Sequence, residues 1–66
     1  MNGKLPLLTA NELIKILNKM GFQSIRQKGS HVYLRHADGR STVVPLHTGK
    51  EIGRGLLKRV INEIDI

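Results

Sequence analysis

The stretch His31-Val-Tyr-Leu-Arg-His36 alternates polar and apolar side chains, and Ala37-Asp-Gly-Arg40 and Ser41-Thr-Val-Val-Pro-Leu46 follow it directly. Successive side chains of an extended chain point to opposite faces. Val32 and Leu34 therefore share one face, while His31, Tyr33 and Arg35 share the other. Asp38-Gly39 between two such runs is a strong hairpin signal, because the turn requires residues that tolerate positive φ. Pro45 has no N–H to give to a ladder, which puts it near the end of the third strand or on an edge. Upstream, Phe22-Gln-Ser-Ile-Arg-Gln27 reads as a strand leading into a turn at Lys28-Gly29. The middle of the chain is thus a three-stranded antiparallel meander.

Working outward, Thr9-Ala-Asn-Glu12 is a capping-box pattern, in which the Thr9 hydroxyl accepts from the Glu12 N–H while the Glu12 carboxylate reaches back. Leu13, Ile16, Leu17 and Met20 then recur at helical spacing, and Gly21 follows where a left-handed residue ends a helix. The first helix is predicted over 10–20. After a loop at His47-Thr-Gly-Lys50, Ile52, Leu56, Val60 and Ile64 recur every fourth residue, with Leu57 and Ile61 widening the stripe. A second helix is predicted over 51–64. Gly53 and Gly55 at its start point to close backbone approach, either to the sheet or to a ligand. The order is αβββα. Two amphipathic helices and a meander pack most simply with both helices on one sheet face, an α+β arrangement of the double-stranded-RNA-binding-domain type.

The chain has 66 residues, enough for one small domain that buries about 60% of the surface its unfolded chain exposes. Such a domain has little room for a deep pocket around an organic cofactor. The absence of cysteine excludes disulfides and thiolate zinc sites. No stretch approaches the roughly 20 apolar residues of a membrane span. Lys4 is present, but no small-residue cleavage site follows a long apolar run, so no signal peptide and a cytoplasmic location are expected. The formal net charge of +6 favours a polyanionic partner, although a basic surface also serves solubility. The charge is concentrated. Arg26, Lys28, Arg35, Arg40 and Lys50 lie between Phe22 and Lys50, against Asp38 alone.

His31, His36 and His47 are the residues most suited to chemistry. A zinc site would need them to converge, with Asp38 as a fourth ligand. His31 and His36 are five positions apart, which turns them to opposite faces of a regular strand, and no metal is expected. Gly29-Ser30-His31 is the better candidate. A histidine just past a glycine turn is held by rigid backbone on the open face, beside Tyr33 and Arg35. Imidazole, with an unperturbed pKa near 6.5 in model peptides, is the side chain suited to moving protons at neutral pH. With Lys28, Arg35 and Arg26 to hold phosphate, this is the minimum set for RNA cleavage without a metal. The bland alternative for His31 is a surface residue in a turn. His36 reads as a structural residue ahead of the hairpin, and His47 as a strand end or a phosphate neighbour. Tyr33 stacks a base or packs on the sheet, and Ser30 joins the RNA-contact candidates without an acid–base pair that would make it a nucleophile. Arg54, Lys58 and Arg59 form either a phosphate-binding stripe or a solvated helix face.

Gly29-Ser30-His31, then His36, Asp38-Gly39-Arg40, Val44-Pro45 with His47, and Glu51-Ile52 before Gly55-Leu-Leu-Lys-Arg59 resemble, in this order, the HicA family of toxins from bacterial toxin–antitoxin pairs. The resemblance runs from about Thr9 to Ile66. Residues 1–8 show no period and contain Gly3 and Pro6, so a flexible arm is expected there, ahead of a single HicA-like domain over 9–66. The resemblance also implies an mRNA interferase without metal, with His31 catalytic; Arg26, Lys28, Ser30, Tyr33 and Arg35 are the RNA-contact candidates from the residues themselves, and no small-molecule cofactor is expected. The implied partners are mRNA and a HicB-type antitoxin covering the His31 face, with no membrane involved. After Gly55 the family's usual Thr is replaced here by Leu56. Two other readings rest on charge and element order alone: a non-catalytic RNA-binding module of the same fold, and a domain that docks an acidic protein.

Overall fold

The computed structural model describes residues 8–46 and 51–65. Helix α1 (Ala10–Lys19) is followed by strands β1 (Phe22–Lys28), β2 (His31–His36) and β3 (Ser41–Pro45), and then by helix α2 (Arg54–Ile64). The strands form one antiparallel sheet in the order β1-β2-β3. The expected αβββα order and α+β class are what the chain adopts. Both helices lie on one side of the sheet, where Leu13 and Leu17 of α1 and Val60 and Ile64 of α2 bury against Phe22, Leu34 and Val44. Among the described residues nothing covers the other sheet face. Positions 1–7 of the expected arm and the loop 47–50, with His47 and Lys50, fall outside the described residues. Leu8 packs against the core, and its carbonyl accepts the Ile52 N–H. Among the described residues no helix is long and apolar enough to cross a membrane.

Helix α1 starts as its sequence dictates. The Thr9 hydroxyl accepts from the Glu12 N–H, and the Glu12 carboxylate accepts from the Thr9 N–H at 2.9 Å. Ile16, counted in the apolar stripe, is 43% exposed, and Ile14 packs on the core instead. Helix α2 begins three residues later than the spacing of Ile52 suggested. Glu51 forms an isolated bridge with Thr9, and the Ile52 N–H is already committed to Leu8. That backbone is extended, Gly53 becomes the N-cap, and Ile52 reaches the core from outside the helix. A Cβ on Gly53 or Gly55 would meet nothing within 4 Å, so neither is required by a close approach to the sheet.

The sheet departs from a plain meander in β1. Phe22 pairs with His36 and Ser24 with Leu34, but Arg26 pairs with Tyr33, so a β-bulge absorbs Ile25. Each one-residue slip reverses the face to which every later side chain points. Before the bulge Phe22 faces the helices and is 1% exposed. After it, Arg26 and Lys28 pair with Tyr33 and His31, on the face away from the core. The expectation of a regular strand over 22–27 is corrected accordingly, and the turn moves to Gly29-Ser30. There Gly29 takes φ +59° and Ser30 does not take positive φ, the pattern of a type II′ hairpin.

Among the described glycines, Gly21 is the one with a close neighbour. Its φ of +100° ends α1, and a Cβ at this position would lie 2.9 Å from His36 Nε2. The His36 ring has little freedom to retreat. It stands edge-on to Phe22, with ring centroids 5.1 Å apart, and its Nδ1 lies 3.1 Å from the Asp38 N–H nitrogen. Gly21→Ala is therefore expected to destabilise the fold by about 2 kcal/mol or more, combining left-handed strain with the collision. Urea unfolding midpoints measure this, and a shift equivalent to under about 0.5 kcal/mol would contradict it.

Candidate nucleic-acid interface and active site

The pairing register sets the composition of the uncovered face. Across β1 and β2, Lys28 stands opposite His31, Arg26 opposite Tyr33 and Gln23 opposite Arg35. Across β2 and β3, His31 stands opposite Pro45, Tyr33 opposite Val43 and Arg35 opposite Ser41. Directly opposed residues have Cβ atoms about 5 Å apart, so the Lys28 ammonium is within easy reach of the space over His31. Arg26 places its guanidinium carbon 5.6 Å from the centre of the Tyr33 ring, a cation–π distance. His31, Arg26, Lys28 and Arg35 are exposed, and Tyr33 is half-buried. None of these outward positions carries a carboxylate.

Of the residues expected from sequence, His31, Tyr33, Arg35, Arg26 and Lys28 are gathered on one face. Ser30 is exposed in the turn beside them, and its carbonyl accepts the Leu46 N–H. His36 lies on the opposite face from His31, against Phe22 and beside Gly21, as the five-residue separation requires. Among the described residues no group of three or more His, Cys, Asp or Glu side chains could hold a metal ion.

Two of the basic residues are occupied inside the fold. Arg40 donates Nε to Asp38 Oδ2 at 2.8 Å and Nη1 to the Ile64 carbonyl, and its guanidinium lies 5.2 Å from the centre of the Phe22 ring. Arg59, counted in a possible phosphate stripe, donates to the Val43 carbonyl at 2.7 Å. Sequence reasoning missed Thr42. It is 3% exposed, and its hydroxyl donates to Glu63 Oε1 at 2.7 Å, which fixes α2 to β3. A polar residue at an inward strand position was the available signal.

The family model described as HicA toxin of bacterial toxin–antitoxin matches residues 10–66. The chain belongs to the HicA toxin family. No curated protein matches it as a relative. As a HicA toxin it is one half of a toxin–antitoxin pair, which implies an antitoxin partner.

The β2–β3 hairpin carries the one marked electrostatic shift near this face. Asp38 is held below the ordinary aspartate range, first by the Arg40 N–H that donates to Oδ1, then by the Arg40 side chain and the His36 ring. A carboxylate with a lowered folded-state pKa stabilises the fold above its unfolded value of about 3.9, and that contribution is lost as pH falls through the lowered value. Asp38→Asn is thus expected to unfold more easily than the wild type at neutral pH, with the difference closing below about pH 4. Thermal melts from pH 7 downward test this; a gap that stays constant into strong acid would contradict it.

Proposed function

We propose that the protein is an endoribonuclease, an mRNA interferase whose uncovered sheet face binds RNA and cleaves it through His31. The observation that carries this reading is the bulged register of β1, which sets Lys28 opposite His31 and Arg26 opposite Tyr33 on a face without carboxylates. A phosphodiester is drawn to such a face by its charge, and counterion release adds to the affinity. Lys28 holds the phosphate next to the imidazole, with Arg35 and Arg26 further along the chain.

His31 moves a proton in the transfer step, either from the ribose 2′-hydroxyl as that oxygen attacks phosphorus or to the departing 5′-oxygen. The P–O5′ bond breaks as the P–O2′ bond forms. One fragment ends in a 2′,3′-cyclic phosphate and the other in a 5′-hydroxyl. The cations stabilise the negative charge that builds on the non-bridging oxygens. A donor set of imidazole, ammonium and guanidinium supports this chemistry without a metal. The same face is the natural target of the antitoxin, which we assign as a HicB-type protein covering His31. An uncontrolled basic ribonuclease would damage its host.

The test is cleavage of a long single-stranded RNA in excess EDTA by the wild type and by His31→Ala. Because His31 is exposed, the variant should keep its circular dichroism and unfolding midpoint while losing 10²–10⁴-fold in rate. Equal cleavage by both proteins would refute the assignment. RNA that is bound but never cut by the wild type would favour the non-catalytic module.

A further inference from the structure

The bulge does more than reverse the facing of β1. It leaves Ile25 in an odd position for an isoleucine, 58% exposed between Ser24 and Arg26. Ile25 lines a depression of about 340 Å³ together with Tyr33, Arg35, Ser41 and Val43. Its size is at the lower end of small-ligand sites, right for one planar ring system and too small for a dinucleotide cofactor. The depression has apolar walls from Ile25, Val43 and the Tyr33 ring, with a guanidinium and a hydroxyl beside them. Arg26 lies over the Tyr33 ring and does not line the depression, so its guanidinium steadies the ring from outside.

The position relative to His31 gives the depression its meaning. Tyr33 lies two strand residues beyond His31, about 7 Å, on the same face. A nucleic-acid strand whose phosphate sits at Lys28 and His31 therefore has its next base over Tyr33 and Ile25. Resting on the ribonuclease reading above, we propose that the Ile25–Tyr33–Arg35 depression is a nucleobase subsite that seats the base adjacent to the scissile phosphate. A guanidinium carries two parallel N–H donors, and that of Arg35 at the rim suits the paired O6 and N7 acceptors of guanine. Ile25 and Tyr33 cover the base faces, while Lys28 and His31 serve the phosphate. An acidic protein segment is the competing occupant. The pocket is less suited to it, because the apolar walls and the single guanidinium match a flat ring with an acceptor edge.

The full-length protein is titrated with a fluorescent, 2′-O-methylated RNA oligonucleotide, which binds but cannot be cleaved, over a range of salt concentrations. Ile25→Ser is expected to weaken binding about tenfold, because stacking and apolar contact with one base are lost. The slope of log affinity against log salt should stay at the wild-type value, since no phosphate contact is removed. Lys28→Gln should instead flatten that slope by roughly 0.7, the increment for one neutralised phosphate on a single strand. An abasic scan of the oligonucleotide should find one position where loss of the base costs the wild type the same factor and Ile25→Ser nothing further. Ile25→Thr keeps the β-branched shape and gives the same reading if the serine variant is unstable. Wild-type affinity in both Ile25 variants, or losses that add at every abasic position, overturns the subsite while leaving RNA binding in place. Loosened antitoxin binding with RNA affinity unchanged also overturns it and assigns the depression to the protein partner. Failure of the wild type to bind RNA at all overturns the ribonuclease reading and the subsite together.

Discussion

Phe22, Arg26 and Lys28 occupy alternate positions of one strand, and a regular strand would send all three to the same face. One of these side chains is the largest in the core and the other two are cations, so no regular strand can satisfy them. The bulge at Ile25 removes the conflict by adding a residue between them. Phe22 then closes the core under α1 and supports both the His36 edge and the Arg40 guanidinium. Arg26 and Lys28 emerge on the far side, where His31 and Tyr33 already point. The presence of both β1 cations on the uncovered face depends on that single extra residue.

Net charge overstates what that face has to offer. Arg40 belongs to the scaffold. Helix α2 has no basic residue in its last turn, and Arg40 supplies the missing cation from the hairpin by donating to the Ile64 carbonyl. Positive charge at a helix C-terminus opposes the negative end of the dipole. Arg59 likewise spends its guanidinium on a strand carbonyl. Among the described residues, Arg26, Lys28 and Arg35 form a compact group near His31, and its strength lies in position rather than number.

Much of this was legible in the sequence. The alternation of β2, the Asp38-Gly39 turn, the Thr9–Glu12 capping box and the place of Pro45 all rest on local rules that the fold obeys. The HicA resemblance, drawn from Gly29-Ser30-His31 and the motifs after it, agrees with the family match over residues 10–66. The misses arise at positions where local spacing does not report the backbone. Ile52 keeps the four-residue spacing of α2 but is extended, because its N–H is held by Leu8. Ile25 lies three positions after Phe22, out of step with an alternating strand, and is the residue that the bulge absorbs. Sequence placed His31 on the open face from its parity with Val32 and Leu34. Only the three-dimensional register brought Lys28 and Arg26 beside it.

The outer border of β3 has a consequence of its own. The β2–β3 hydrogen bonds fall at His36–Arg40 and Ser30–Leu46, so Val43 and Pro45 turn their backbone groups outward. Pro45 has no N–H to offer there, and the Val43 carbonyl is capped by Arg59. A fourth strand laid along this border would find one donor missing and one acceptor already taken. Such blocked margins keep sheet proteins from stacking edge to edge into aggregates. The β3 border of this toxin thus resists pairing with a further strand, and growth of the sheet from that side is discouraged.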